Sequence, residues 1–277
     1  MTGGNTKVVG IIGWPVEHSL SPVIHNAAFR ALRLDWVYVP MPVRPGLLHQ
    51  ALAGLPALGF AGANVTMPHK RDAVGACVEI SEDARLTGAV NTVVVGADGL
   101  IGHNTDVPGF QRFLERDAGF DARGRTALLY GAGGVARSVL LALARSGIDG
   151  VTIAARSVAR AREMLGEVTE WAPSVDVVGW QEASDVHADL VVNASPAAPP
   201  LDAMPALGAT TTVLDLVYRP ADTGFVRSAR SRGAAAFGGL GMLLQQGALS
   251  FELWTGQFPP IEVMSAAALA ELGTASR

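Results

Sequence analysis

The run from Thr126 to Gly147, TALLYGAGGVARSVLLALARSG, constrains this chain more than any other stretch. It opens on an apolar segment, Ala127 to Tyr130, of the length and composition of a buried parallel strand. Glycines follow at Gly131, Gly133 and Gly134. Val135, Val139, Leu140 and Leu143 then recur at helical spacing, and Gly147 stands where such a helix stops. Strand, glycine turn and helix in that order are the context in which a glycine-rich loop holds a dinucleotide. Gly131 permits the turn, Gly133 lets backbone approach a pyrophosphate, and Ala136 keeps helix and strand close. Ala132, Gly134 and Val135 complete the loop, and the phosphates would rest on the N-terminus of the helix. The plain alternative is an ordinary glycine-rich turn; the complete context favours the nucleotide.

The 277 residues suffice for one large domain or two modest ones. Net charge is −4 and 17% of residues are charged, which leaves no basic footprint for nucleic acid. The hydrophobic share is 49%, but it is dispersed, and no apolar run is long enough to span a bilayer. The opening MTGGNTKVVGIIG lacks the charged-then-apolar order of a signal peptide. A single cysteine, Cys77, excludes an intrachain disulfide; it reads as a small buried residue on a helix. Both features point to a reducing, cytoplasmic setting. Six scattered histidines without a Cys/His cluster argue against a metal site.

Lys7 to Ile12 reads as a buried strand. In the loop that follows, Ser21 and Pro22 form a good helix start, serine at N-cap and proline at N1. Ser19 and Ser21 thus lie where hydroxyls and a helix dipole suit a carboxylate; alternatively Ser21 only caps its helix. Further strands are expected over Trp36 to Met41 and Phe60 to Val65, with a helix over Leu47 to Leu55. After the third strand, Pro68 again suits a helix start, placing Thr66 at the strand end and Lys70 in the first helical turn. A cation there opposes the dipole: either Lys70 is merely solvated or its charge is used in proton transfer. Ala89 to Val95 and Leu100 to His103 read as a hairpin around Gly96 to Gly99, with Asn91 in its first arm. Asp106 follows, as the N-cap of a helix carrying Phe110, Phe113 and Leu114, or as a reacting group.

Beyond the glycine loop, Val151 to Ala155 is the next strand. An NAD-binding sheet usually ends this strand in an acid; here stand Ala155, Arg156 and Ser157, then Arg160 and Arg162, with no carboxylate before Glu163. Guanidinium groups favour a 2′-phosphate, hence NADP; arginines on a solvated helix face are the alternative. Val158, Ala161, Leu165, Val168 and Trp171 predict the buried stripe of the following helix. Strands over Val175 to Val178, Leu190 to Asn193, Thr212 to Val217 and Ala234 to Phe237 continue the α/β pattern, and Ala197 to Pro205 reads as a surface loop. The tail, from Gly238, Gly239 and Met242, enters an apolar helix ended by Gly256. Gln245 and Gln246 sit within it and need polar partners or solvent.

With these stretches assembled, the chain resembles the shikimate dehydrogenase family over nearly its full length. The carrying residues are Gly13-x-Pro15-x-x-His18-Ser19-x-Ser21-Pro22-x-x-His25-Asn26, Asn64-Val-Thr66-x-Pro68-x-Lys70, Gly88-Ala-Val-Asn91-Thr92 and Asn104-Thr105-Asp106. The order continues through Gly131 to Ala136, Tyr218-x-Pro220-x-x-Thr223, and Gly241-Met242-Leu-Leu-Gln-Gln246. The resemblance implies an α/β fold in two domains. Residues 1–106 and 240–277 would form the substrate domain, with a C-terminal helix returning to it. Residues 107–239 would form a Rossmann-like NADP domain. It implies reversible hydride transfer between shikimate and NADP in chorismate and aromatic amino acid biosynthesis, by a cytoplasmic monomer or homodimer. Ser19, Ser21 and Tyr218 would hold the substrate carboxylate, and Thr66, Asn91 and Gln246 its ring hydroxyls. Lys70 and Asp106 look like the catalytic pair. Gly131 to Ala136, Arg156, Ser157, Arg160, Asn193, Gly239 and Met242 would hold the cofactor.

Two positions depart from the family pattern. Ala155-Arg156-Ser157 stands where Asn-Arg-Thr is common, which keeps the arginine and drops an amide; Asn193-Ala194-Ser195 stands for Asn-Ala-Thr and keeps the hydroxyl. The alternatives are a quinate/shikimate dehydrogenase using NAD, a relative acting on an amino analogue, a methylenetetrahydrofolate-dehydrogenase-like enzyme and a catalytically silent NADP-binding module. Quinate-preferring members often carry threonine where this chain has Ser21, and a silent module could lose Lys70 or Asp106, which this chain keeps.

Overall fold

The computed structural model describes residues 3–168 and 170–274. The chain divides into two compact units, Met1–Thr105 with Leu244–Arg277, and Asp106–Leu243. In the first, β1 (Lys7–Gly13), β2 (Trp36–Pro42), β3 (Phe60–Val65), β4 (Glu79–Ile80), β5 (Thr92–Val95) and β6 (Leu100–His103) form a six-stranded sheet in the order β2-β1-β3-β5-β6-β4. Helices α1 (Ser21–Ala31), α2 (Leu48–Ala57) and α3 (Glu82–Thr87) accompany it. The central β1 runs parallel to β2 and β3, which explains its near-continuous apolar run; Val9, Ile11 and Ile12 are all buried. β5 turns antiparallel to both β3 and β6, with Val95 opposite Leu100 across the Gly96 to Gly99 turn.

Leu52 and Leu55 of α2 bury one cluster with Val65, Val93 and Leu100. A second cluster gathers His25 and Phe29 of α1, Tyr38 of β2, and Phe251 and Trp254 from the end of the chain. The Asn26 side-chain amide donates to the Tyr38 carbonyl and its oxygen accepts from the Tyr38 N–H, both at 2.9 Å. One side chain thereby occupies an open donor and acceptor on the edge strand of the sheet.

The second unit holds β7 (Thr126–Tyr130), β8 (Gly150–Ala155), β9 (Ser174–Gly179), β10 (Leu190–Asn193), β11 (Thr212–Asp215) and β12 (Ala235–Gly238). Every pairing is parallel, in the order β12-β11-β10-β7-β8-β9. The chain winds outward from β7 to one side and from β10 to the other, the doubly wound order of dinucleotide-binding sheets. Helices α4 (Asp106–Arg112), α5 (Gly134–Arg145), α6 (Val158–Gly166) and α7 (Gly224–Ser231) belong to this unit. α8 (Leu240–Thr255) begins here and continues in the first unit, where α9 (Ile261–Thr274) lies against α1.

Several local expectations change. No α-helix starts at Pro68: Thr66 to Arg71 form a turn into a 3₁₀ helix, Asp72–Ala76, because a proline that fits a helix start fits a turn equally well. Cys77 closes that 3₁₀ helix rather than riding an α-helix, and burial pushes its thiol up to about 11. α6 stops at Gly166 and buries Ala161 and Met164, so the stripe extended to Trp171 overran its end. The segment 197–205 is not plain surface. Ala203 and Met204 are buried, and the Ala203 carbonyl accepts a 2.8 Å bond from the otherwise enclosed Tyr130 hydroxyl.

Candidate functional site

The order of the second sheet reverses between β7 and β10, where open α/β sheets bind ligands beyond their carboxyl ends. The loops leaving these two strands touch. Gly131 has φ +114°, and a Cβ there would lie 3.2 Å from the Ala194 carbonyl carbon, so only glycine suits both the dihedral and the gap. Across this point Asn193 is fully buried. Its amide donates to Asp215 at 2.8 Å, and its oxygen accepts from the Ser195 N–H at 3.0 Å. Asp215 in turn accepts from Thr223 at 2.6 Å, tying together the loops after β10 and β11.

Above this base, Gly133 is the N-cap of α5, and no side chain caps the helix. A Cβ at Gly133 or Gly134 would meet nothing within 4 Å. An uncapped helix N-terminus under open space fits a pyrophosphate. At the end of β8 the exposed Arg156 guanidinium lies 5.5 Å from the ring centroid of Trp180. Ser157 caps α6 by accepting from the Arg160 N–H at 3.3 Å, which leaves Arg160 exposed in the first turn. Gly239 bonds the Val217 carbonyl at 3.1 Å, and Met242 is buried in the first turn of α8. Tyr218 lies half-buried in the loop after β11, and Asp106 opens α4, buried.

In the first unit, β1 and β3 are parallel neighbours, so the loops at their carboxyl ends stand side by side; the Trp14 N–H bonds the Met67 carbonyl at 3.0 Å. One loop carries Ser19 and Ser21. Ser21 is the first residue of α1, not its cap, and its N–H donates to the Ser19 hydroxyl at 3.2 Å. The other loop carries Thr66 and Lys70. The Lys70 carbonyl accepts from Val90 N–H, and the Val65 N–H donates to the Asn91 carbonyl, each at 2.8 Å. The backbone thus brings Thr66, Lys70 and Asn91 to one corner of the sheet. Asn91 also fixes Thr105, whose N–H donates to the Asn91 side-chain oxygen at 2.8 Å. The Ser250 hydroxyl lies 2.8 Å from that of Thr92 and donates to the Gln246 carbonyl one helical turn back at 3.1 Å.

Residues 11–93 match the family description of the shikimate dehydrogenase substrate binding domain, and residues 239–269 match that of the shikimate 5′-dehydrogenase C-terminal domain. A curated relative, shikimate dehydrogenase (NADP(+)) from Desulforamulus reducens, is 44% identical over 94% of each chain. The chain belongs to the shikimate dehydrogenase family. A solved shikimate dehydrogenase in complex with NADP+ superposes with a TM-score of 0.90 at 39% identity over 98% of each chain. A quinate dehydrogenase from Corynebacterium glutamicum in complex with NAD gives 0.87 at 32% identity, over 96% of this chain and 99% of its own. The family fold therefore does not by itself choose between these substrates, and the choice rests on side chains. Beyond the family motifs, the sequence reading missed Ser250 and Trp180. Ser250 looks like any helical serine until its bonds to Asn64 and the Thr92 region are seen, and Trp180 carries no motif at all.

Proposed function

We infer that the chain is an NADP-dependent shikimate dehydrogenase, reversibly reducing 3-dehydroshikimate to shikimate within chorismate and aromatic amino acid biosynthesis. The observation that carries the reading is the corner of the first sheet, where a lysine, hydroxyls and an amide converge from separate loops. A polyhydroxylated ring acid asks for this set: hydrogen bonds for its hydroxyls, donors for its carboxylate, and a proton source at the reacting oxygen.

NADPH, when bound, supplies the hydride that adds to C3. As it adds, the C3 oxygen gains negative charge, and Lys70 stabilises that charge and gives up a proton to it. Asp106 orients the lysine and the hydroxyl and takes part in the return of the proton. Ser19, Ser21 and Tyr218 hold the carboxylate, and Thr66, Asn91 and Gln246 hold the ring hydroxyls, so that C3 is presented in one orientation. Asn91 acts twice in this scheme, since it also fixes Thr105, the residue before Asp106. For the cofactor, the N–H groups at the start of α5 would hold the pyrophosphate, with Gly131 to Ala136 as the loop. Arg156, assisted by Arg160, would hold the 2′-phosphate. Ser157 caps the helix that carries Arg160, Asn193 shapes the loop facing Gly131, and Gly239 and Met242 border the start of α8. No described helix is long and apolar enough to cross a membrane, and we place the enzyme in the cytoplasm on its single cysteine.

The test is the change in nicotinamide absorbance with shikimate and with quinate, each tried with NADP and with NAD. The reading expects the highest kcat/KM for shikimate with NADP. Turnover of quinate with NAD at a higher kcat/KM would replace it with the quinate reading, and no turnover of any pair would replace it with a silent module.

A further inference from the structure

The described residues include an arginine that is exposed, forms no ion pair with any described carboxylate, and is nevertheless held. Arg156 leaves the end of β8, and its guanidinium carbon lies 5.5 Å from the centroid of the Trp180 ring, which leaves the end of the adjacent strand β9. Trp180 is fixed from behind. Its indole N–H donates to the Ala154 carbonyl at 3.1 Å, and its ring packs against the core cluster that contains Ala154 and Ala183. The ring therefore presents a rigid face on which a guanidinium lies by cation–π attraction. An unanchored arginine at a strand end samples many rotamers, and holding it in one place costs entropy at the moment of binding. An arginine already laid on an indole has lost much of that freedom, while its N–H donors stay available to an anion.

We propose that Trp180 is a positioning and specificity-determining residue for the cofactor. By holding Arg156 against its ring, it prepares the guanidinium for the 2′-phosphate that distinguishes NADP from NAD. This rests on the cofactor reading above. The contact made by Trp180 is with the arginine, so its effect falls on cofactors carrying a 2′-phosphate and spares those without one. The same ring explains how the chain manages with Ala155 where the family often has asparagine: Arg156 is held by an aromatic face instead of being helped by a neighbouring amide.

The experiment compares wild type, Trp180→Phe, Trp180→Leu and Arg156→Ala. Binding of NADP, NAD, adenosine 2′,5′-bisphosphate and AMP is measured by calorimetry, and KM for both cofactors is measured alongside. Wild type preferring NADP and the bisphosphate over NAD and AMP bears on the cofactor reading; absence of that preference overturns that reading before Trp180 is considered. Given the preference, Trp180→Leu is expected to weaken NADP and bisphosphate by about two- to fivefold and to leave NAD and AMP within error. Trp180→Phe loses the bond to Ala154 and offers a smaller, less attractive ring, but it keeps an aromatic face, so it retains more of the preference than Trp180→Leu. Equal weakening of all four ligands in Trp180→Leu, or equal loss of preference in the Phe and Leu variants, overturns the proposal. A second readout uses no leucine variant: the bisphosphate should change tryptophan emission in wild type and do so far less in Trp180→Phe. An emission change of the same size in Trp180→Phe also overturns the proposal.

Discussion

Lys70 sits in a turn whose backbone is pinned at both ends. The Thr66 N–H bonds the Ile12 carbonyl, and the Lys70 carbonyl bonds the Val90 N–H, each at 2.8 Å. A side chain on such a support approaches a substrate from a fixed origin, as proton transfer requires. Lys70→Met should therefore leave the fold and NADP affinity intact and lower kcat by about 10²–10⁴-fold, with a much smaller rise in KM. On the proposed reaction Asp106→Asn should lower kcat likewise, and the double variant should lose far less than the product of the two, as expected of a proposed acid/base pair. Steady-state kinetics with cofactor titration checks this; a Lys70→Met enzyme with only a raised KM would reduce Lys70 to a hydroxyl ligand. His25 tests a different residue-scale property. It is fully buried, neither ring nitrogen has a hydrogen-bond partner among the described residues, and it stacks on Tyr38 at 4.5 Å between ring centroids. Burial pushes its pKa from 6.5 down to about 3. Below pH 6.5 the unfolded chain takes up the proton that folded His25 refuses, so its stabilising contribution is complete above that pH and is lost progressively towards pH 3. The stability difference between wild type and His25→Phe should be flat above neutrality and change by about 1.4 kcal/mol per pH unit between roughly pH 6 and 4. Denaturant melts at several pH values measure it, and parallel curves would refute it. Residue types were legible in the sequence, but residue duties were not. Nothing in the string tells that Ser21 follows the cap instead of being it, or that Asn91 spends its side-chain oxygen on Thr105.

At the scale of elements, β7, the glycine loop and α5 were legible because every determinant is local: a short apolar run, glycines at the turn, a helical stripe, and Gly147 at φ +78° past the helix end. Elements whose signal is short or non-local escaped. β4 has only two residues, and α9 carries alanines on exposed and buried sides alike, which leaves no apolar stripe to find. The segment around Ala203 is tied to Tyr130, far away in sequence, and Met204 joins the apolar cluster that holds Tyr130. Two glycines of the loop should separate its structural from its binding duties. Gly131→Ala places a side chain at φ +114° and against the Ala194 backbone, and should destabilise the protein by more than about 1 kcal/mol. Gly133→Ala has extended backbone, φ −98°, and open space, so it should cost only the poorer N-cap, about 0.5–1 kcal/mol, while weakening NADP, whose phosphates would need that space. Thermal melts and cofactor titration on both variants decide it; an NADP affinity unchanged by Gly133→Ala would move the pyrophosphate away from this loop.

The division of the whole molecule is the feature least legible from local signals, because one of its units is not continuous in sequence. The first unit is discontinuous, and the bonds that close it join residues far apart in sequence. Ser250 meets Thr92 across 158 positions, and the Trp254 indole N–H reaches the Val93 carbonyl, 161 positions away, at 3.0 Å. Phe251 completes the aromatic cluster, 4.8 Å from Phe29 between ring centroids. The second unit is one continuous segment with its own parallel sheet and its own core around Leu128, Val191, Val213 and Phe225. A domain folds alone when its core and its sheet are complete without borrowed elements. A chain ended after Leu243 should therefore keep one cooperative unfolding transition, that of the second unit, and bind NADP with near wild-type affinity. It should lose shikimate binding, because the stripped first unit exposes Phe29 and Tyr38 and leaves Thr92 and Asn64 without Ser250. Residues 106–243 alone should likewise fold and bind NADP. Calorimetric melts and separate titrations with NADP and shikimate measure both shortened chains. Wild-type shikimate affinity in the truncated chain would show that the first unit closes without its C-terminal helices, and failure of residues 106–243 to bind NADP would show that the second unit is not self-sufficient.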